Sequence, residues 1–213
     1  YLHYAFDEWV KRSFPSVRFE RYADDILIHC WTESGVLMVK AALEKRLAEC
    51  KLELHPEKTK IVYCKDDLRR KEYSNTKFEF LGYAFHARLV RARKGKFFVR
   101  FMPAVSNKSK KKLMDKVRSL KIHRKTRTEL ENLAEILNPI IRGWINYFDK
   151  YYKTATFSTL YRIDDILVKW AVDRYKRFNR SRRKAYHWLG AIAKREPNLF
   201  AHWKFGIKPS AGR

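Results

Sequence analysis

Several absences narrow what this chain can be. Its three cysteines, Cys30, Cys50 and Cys64, include no CxxC pair. That spacing argues against a zinc knuckle and fits a reducing compartment, with Cys30 and Cys50 acting as small apolar side chains. No apolar run approaches the roughly 20 residues of a membrane span and no signal peptide opens the chain, so neither a membrane partner nor secretion is expected. The seven histidines, His187 and His202 among them, are dispersed without paired metal-ligand spacing, and no nuclease motif of the HNH kind is present. Negative charge is nearly missing from residues 88–125, where Asp115 is the one acid among fifteen Lys and Arg.

What is present points to a folded, cationic protein. Hydrophobic residues make up 46% and aromatic residues 15% of the 213 positions, enough for one good core or two small ones. The net charge is +25, from 48 Lys and Arg against 23 Asp and Glu. Flat rings beside cationic side chains are the pairing used by nucleic-acid binders, with charge for the backbone and rings for bases. The charge is uneven: residues 1–87 are nearly neutral, 88–125 strongly basic and 126–213 basic. The middle segment could be neutralised by a polyphosphate with counterion release, or could simply be a solubilising linker.

Hydrophobic periodicity divides the chain in two. YLHYAFDEWV starts in mid-pattern, with Leu2, Phe6, Trp9 and Val10 at helical spacing and no initial Met, as expected of a piece of a larger or processed polypeptide. Val17 and Phe19 alternate with Arg18 and Glu20 as a strand. ILIHCW at 26–31 forms the next, with Ala23, Asp24 and Asp25 at the apex of a tight hairpin. Val36, Val39, Leu43, Leu47 and Cys50 predict an amphipathic helix from Ser34 to Cys50. KLELHPEKTKIVYC is expected to be extended on either side of a turn at Pro56, and 77–90 with 95–103 to form a strand pair around Gly95.

From Ser109 the period is helical. Thr126 to Glu129 has capping-box spacing ahead of Leu130, Leu133 and Leu137. Pro139 is expected to end that helix, with Asn138 capping a second one that carries Ile140, Ile141, Trp144, Ile145 and Phe148. A third helix is expected over about 157–179, with Leu160, Asp164, Leu167, Trp170, Ala171 and Phe178 on one stripe, and a fourth over 181–194. Trp144 and Trp170 are expected in the core. The polar, basic stretch PAVSNKSKKK at 103–112 marks a boundary, dividing residues 1–105 from 106–213.

The adjacent carboxylates Asp24 and Asp25 lie between apolar strands, where like-charge repulsion and desolvation are costly unless a cation arrives. A hard divalent ion such as Mg²⁺ takes one or two carboxylates and completes its shell with water and substrate phosphate. A solvated turn, or salt bridges to Arg18 or Arg21, would also account for them.

YADD at 22–25 between apolar strands resembles the catalytic hairpin of reverse transcriptases, specifically those of group II intron maturases. LAECKLELHPEKTKIVYC resembles the helix, turn and strand that follow in that family, and FEFLGYAFHAR its primer-grip hairpin. IRGWINYF at 141–148 and WAVDRYKRFNRSRRKAYHWL at 170–189 resemble the helical thumb and maturase domain. The resemblance implies an α+β fold: the C-terminal part of a reverse-transcriptase palm with the YADD hairpin, then an all-helical thumb/maturase domain. It implies Asp24 and Asp25 as catalytic Mg²⁺ ligands in a two-ion site, Tyr22 and Ala23 beside the primer terminus, and Phe80, Leu81, Gly82 and Tyr83 as the primer grip. Lys58 or Lys60 would lie near the incoming triphosphate, or form solvated surface pairs.

The family's third carboxylate and fingers have no room in the 21 residues before Tyr22, and Asp7 and Glu8 fall in a helical pattern. The isolated chain is therefore expected to be inactive as a polymerase without a separate or missing N-terminal fingers/palm segment. Expected partners are structured intron RNA, an RNA template with its DNA primer, and deoxynucleoside triphosphates. The expected setting is bacterial cytoplasm or a eukaryotic organelle. RNA contact is expected from Arg88, Arg91, Arg93, Lys94 and Lys96 around one hairpin, from Lys110, Lys111 and Lys112 beside Lys108 at the start of the linker, and from Arg180, Arg182, Arg183 and Lys184. The leading function is RNA-templated DNA synthesis and assistance to intron splicing. The alternative is a non-catalytic RNA-binding splicing or assembly factor with a vestigial palm, and DNA binding by the helical tail is a third possibility.

Overall fold

The computed structural model describes residues 1–69, 71–92 and 95–210. The chain divides into two compact units, Tyr1–Tyr63 with Glu72–Thr76, and Cys64–Lys71 with Lys77–Arg213.

In the first unit a π-helical turn, His3–Asp7, runs into α1 (Glu8–Ser13). The hairpin β1 (Arg18–Tyr22) and β2 (Asp25–His29) follows, then α2 (Glu33–Glu49). The helical spacing read at the start of the chain is used: Phe6 and Val10 are buried with Leu43 and Leu47 of α2. Phe19, Ile26 and Ile28 pack one face of the hairpin against this small core. Thr32 caps α2 by accepting a hydrogen bond from the Gly35 amide at 3.1 Å. KLELHPEKTKIVYC departs from expectation: it turns at Pro56 but forms no regular strand. An extended segment becomes a strand only with a partner edge, and beyond the α2 end, where Lys51 and Leu52 bond back to Ala48 and Leu47, its backbone bonds among the described residues are Thr59 to His55 and Tyr63 to Asn75.

The second unit holds an antiparallel sheet in the order β3 (Lys77–Phe80), β4 (Tyr83–Arg91), β5 (Phe97–Val105). The stretch 77–90, expected as one strand, is two. Leu81 and Gly82 both take positive φ, +49° and +80°, and reverse the chain so that Phe80 faces Tyr83. Helices α3 (Asn107–Ser119), α4 (Leu130–Phe148), α5 (Thr154–Arg174) and α6 (Arg182–Arg195) complete the unit. The period change near residue 105 is real, since β5 ends at Val105 and α3 starts at Asn107. Even so, Tyr83 and Val105 share one core with the helices.

Three helix expectations are corrected. The lysines of 108–112, read as the start of a linker, already lie in the first turns of α3, which Ser106 caps through the Ser109 amide at 3.1 Å. The Thr126–Glu129 capping box does not form: α4 begins without a side-chain cap, and the Thr126 carbonyl instead accepts a bond from Arg174 at 2.6 Å. Pro139 does not break α4. Its missing N–H deprives only the carbonyl of Glu135, an exposed position that water can serve, while Leu133, Leu137, Ile141, Trp144, Ile145 and Phe148 form an unbroken buried stripe. Burial of that stripe outweighs the ~3 kcal/mol that an internal proline costs. Phe178 lies beyond α5, in a 3₁₀ turn, but is buried as expected.

Asn138, freed from capping, accepts from the Ala201 amide (2.7 Å) and donates to the Leu199 carbonyl (2.9 Å). This draws the segment after α6 into the core, where Phe200, Trp203 and Ile207 are buried. Asp164, inward on α5, is tolerated there because Trp203 donates to it at 2.9 Å and His202 Nε2 lies 2.8 Å away. Trp170 is fully buried and donates to the Lys125 carbonyl at 2.9 Å. No helix among the described residues is long and apolar enough to cross a membrane.

Candidate functional site

In the hairpin of the first unit, Tyr22 pairs with Asp25, leaving Ala23 and Asp24 as a two-residue turn. Ala23 takes φ +53°, a region in which an L side chain crowds its own backbone and glycine is the usual occupant. Such a conformation persists only where its surroundings hold it. Arg21 provides that hold. Strand alternation puts it on the same face as Phe19, toward the opening helical segment. Its guanidinium donates twice to Asp7, Nε to Oδ1 at 2.7 Å and Nη2 to Oδ2 at 2.6 Å, and once to the Ala23 carbonyl at 3.0 Å. The fork therefore ties the turn to the helix beneath it. The bond from Arg21 holds the Asp7 carboxyl below its ordinary range, against the opposing effect of burial.

Asp24 and Asp25 are exposed, and among the described residues neither side chain has a hydrogen-bond or ion-pair partner. Arg21, one of the cations that could have paired them, is taken by Asp7. Tyr22 is 64% exposed beside them. Hard oxygen donors left free suit Mg²⁺, which takes one or two carboxylates. No group of three His, Cys, Asp or Glu able to hold a metal occurs among the described residues. Lys58 and Lys60 lie exposed on the irregular segment of the same unit.

In the second unit the FLGY turn at 80–83 is held from several sides. The Gly82 carbonyl accepts from the Ser106 amide at 3.0 Å and the Ser109 hydroxyl at 2.9 Å. Tyr147 of α4 donates to the Leu81 carbonyl at 2.9 Å, and Tyr83 donates to the Tyr147 carbonyl. A Cβ at Gly82 would stand 2.8 Å from the Ser109 hydroxyl, so close approach and positive φ both require glycine there. Burial, with Tyr147 and Tyr151 nearby, pushes the Tyr83 phenol up to about 12.

The expected RNA-contact residues fall into distinct settings. Arg88 is half-buried, donates to the Ala84 and Met102 carbonyls and lies over the Tyr152 ring at 5.4 Å. Arg91 stands over Phe97 and Lys96 is exposed, while Arg93 and Lys94 lie outside the described residues. Lys110, Lys111 and Lys112 ride the first turns of α3, and Arg182, Arg183 and Lys184 those of α6, with Arg180 just before them. Neither helix has an acid in its first turn. Cations at a helix N-terminus oppose the macrodipole, so this placement does not serve the helices themselves. Trp188 is half-buried, with Arg177 over it and over Tyr175 and Phe178.

Sequence reasoning missed Arg21, Asp7 and Tyr147 as supports of the two turns. The one available signal was Arg21 standing two residues from Phe19 on a half-buried strand.

Along the chain, a strand hairpin with adjacent exposed carboxylates is thus followed by a three-stranded sheet and a set of cationic helices. Two family profiles match in that order: reverse transcriptase (RNA-dependent DNA polymerase) over residues 1–85, and the group II intron maturase-specific domain over residues 110–188. The chain belongs to the group II intron reverse transcriptase/maturase family, whose function lies in intron splicing. No curated protein and no solved structure gives a significant match.

Proposed function

We propose that residues 18–29 form the catalytic hairpin of RNA-templated DNA synthesis, and that the helical unit binds intron RNA to assist splicing. The observation supporting the first part is the pair of exposed, unpartnered carboxylates on a turn braced by Arg21 and Asp7. In this reading Asp24 and Asp25 hold Mg²⁺, Asp24 as the more direct ligand, and Tyr22 and Ala23 flank the primer terminus. Mg²⁺ held by these carboxylates would supply activation of the attacking 3′-hydroxyl and stabilisation of the leaving pyrophosphate. Arg21 keeps the carboxylates oriented by fixing the Ala23 carbonyl, and Phe80, Leu81, Gly82 and Tyr83 support the primer strand. Lys58 or Lys60 would meet the triphosphate of the incoming nucleotide.

The helix-start cations of α3 and α6 favour RNA as the partner of the second unit, because backbone phosphates would meet charge that the helices do not use. Arg88, Arg91 and Lys96 would extend that contact along the sheet. Asp7, engaged by Arg21 and carried on a helical turn, is a poor substitute for the third carboxylate implied by the family resemblance. These 213 residues are therefore expected not to polymerise by themselves. The engagement of Asp7 also favours the second reading, an RNA-binding splicing factor whose palm element is vestigial.

Primer extension on an RNA template separates the two. The 213-residue chain alone should give no extension, and addition of a fingers/palm partner should restore it. Asp24→Asn should abolish the restored activity while leaving RNA binding intact. Robust extension by the chain alone would refute the incomplete-site reading. No extension with any partner would favour the binding factor.

A further inference from the structure

Helices α3 and α5 pack together, and between them lies a shallow cleft of about 400 Å³. Four cations line it, Lys110, Lys111 and Arg118 from α3 and Arg162 from α5, with the neutral Asn107 and Ser158 beside them over buried Met114. Arg118 and Arg162 were not singled out by sequence, because their convergence depends on how two separate helices pack.

The chemistry of this lining is one-sided. No carboxylate lines the cleft, and among the described residues the one ion pair made by a lining cation is Arg118 with Asp115 at 3.4 Å. Lys110 is half-buried, and burial together with neighbouring Arg88 lowers its proton affinity. Like charges crowded there repel one another until an anion enters. Lys and Arg donate without accepting, so the complementary ligand presents acceptor oxygens and negative charge. No aromatic ring lines the cleft, which leaves nothing for a base to stack on.

We propose that the α3–α5 cleft grips the phosphodiester backbone of RNA and does not read its bases. This rests on the RNA-binding role proposed above and locates one of its contact points. Lys111 and Arg162, from opposite walls, would each meet backbone phosphate oxygens, with Ser158 and Asn107 adding neutral hydrogen bonds. Binding here is independent of sequence and falls steeply with salt, because its gain comes from counterion release.

The test titrates the 213-residue chain with labelled RNA hairpins of several sequences over a range of KCl. The cleft variant is Lys111→Gln with Arg162→Gln, and the control, equal in charge, is Lys45→Gln with Lys116→Gln. All four side chains are exposed, so folding should persist and thermal melting checks it. The cleft variant should bind about tenfold more weakly near physiological salt, equally for every sequence, with a salt slope shallower by about 1 per removed cation. The control should change little. Equal weakening by the control pair would reduce the cleft to net charge and overturn the proposal, as would a loss confined to one sequence. Displacement of RNA by inorganic phosphate at equal concentration would make it a free-anion site instead. A polyglutamate peptide binding the cleft more tightly than RNA would make it a protein-docking surface. Failure of the unmodified chain to bind any RNA would defeat the RNA-binding role itself, whereas unchanged binding by the cleft variant defeats the cleft alone.

Discussion

The turns at 22–25 and 80–83 meet the same backbone demand in opposite surroundings. Each reverses an antiparallel pair in two residues, and each places a non-glycine residue, Ala23 or Leu81, at positive φ. At 80–83 the supports are many: the buried Ser106 and Tyr83, the half-buried Ser109, and Tyr147 reaching over from α4. At 22–25 there is one support, the Arg21 fork onto Asp7, and everything beyond the brace is left exposed. A turn whose polar groups are consumed by structure can shape a surface but has little left to react with. A turn held from beneath by one ion pair keeps its carboxylates free for a ligand. The difference separates a structural turn from a candidate chemical one, although both are short hairpins in the sequence.

The contrast can be broken experimentally. Tyr83→Ala should give the largest stability loss, about 3 kcal/mol, because it removes a nearly buried ring that packs on Tyr147, Phe148 and Tyr151. Denaturant unfolding of the second unit would measure it, and a loss below about 1 kcal/mol would mean the turn does not depend on that cluster. Gly82→Ala should cost less, about 1–2 kcal/mol, from positive φ and the short approach to Ser109.

Arg21→Leu should act more locally, speeding amide exchange in 18–29 while leaving the second unit unchanged. Its effect should depend on pH in a definite direction. The folded-state pKa of Asp7 is depressed, so the brace stabilises fully above the ordinary carboxylate value of 3.8 and is lost as pH falls through the lower folded value. Acid titration of exchange rates should therefore show wild type and variant converging at low pH. Persistence of the difference down to the lowest pH at which the unit stays folded would assign the effect to lost packing. Asp24→Asn should have the smallest effect on stability, within measurement error, because nothing in the fold depends on that side chain. Measurable destabilisation would show that the carboxylate is structural after all.

Much of this was legible locally. The alternation around Phe19 and Ile26, the helical stripes at Val39, Leu43 and Leu47, and the leucines of α4 all report short-range periodicity that burial then uses. What periodicity could not express was partnership. Asn138 looked like a cap because Asn before Pro has that local meaning, yet its partners are Leu199 and Ala201, some sixty residues on. Pro139 looked like a break because the cost of an internal proline is local, while the burial that exceeds it is spread along the whole helix. The lysines of 108–112 looked like linker because composition outweighed the Ser106 cap.

The sequence by itself determined where charge of each sign lies along the chain. Two adjacent acids on a hairpin, a neutral front and a cationic remainder are properties of order and composition, which no packing can alter. Tertiary structure alone decided which charges are available for function. It committed Asp7 to Arg21, buried Asp164 against His202 and Trp203, and brought Lys111 and Arg162 to opposite walls of one cleft. The reason is physical: a side chain's pairing depends on distance in space, and residues dozens of positions apart become neighbours only when the helices and sheets that carry them pack.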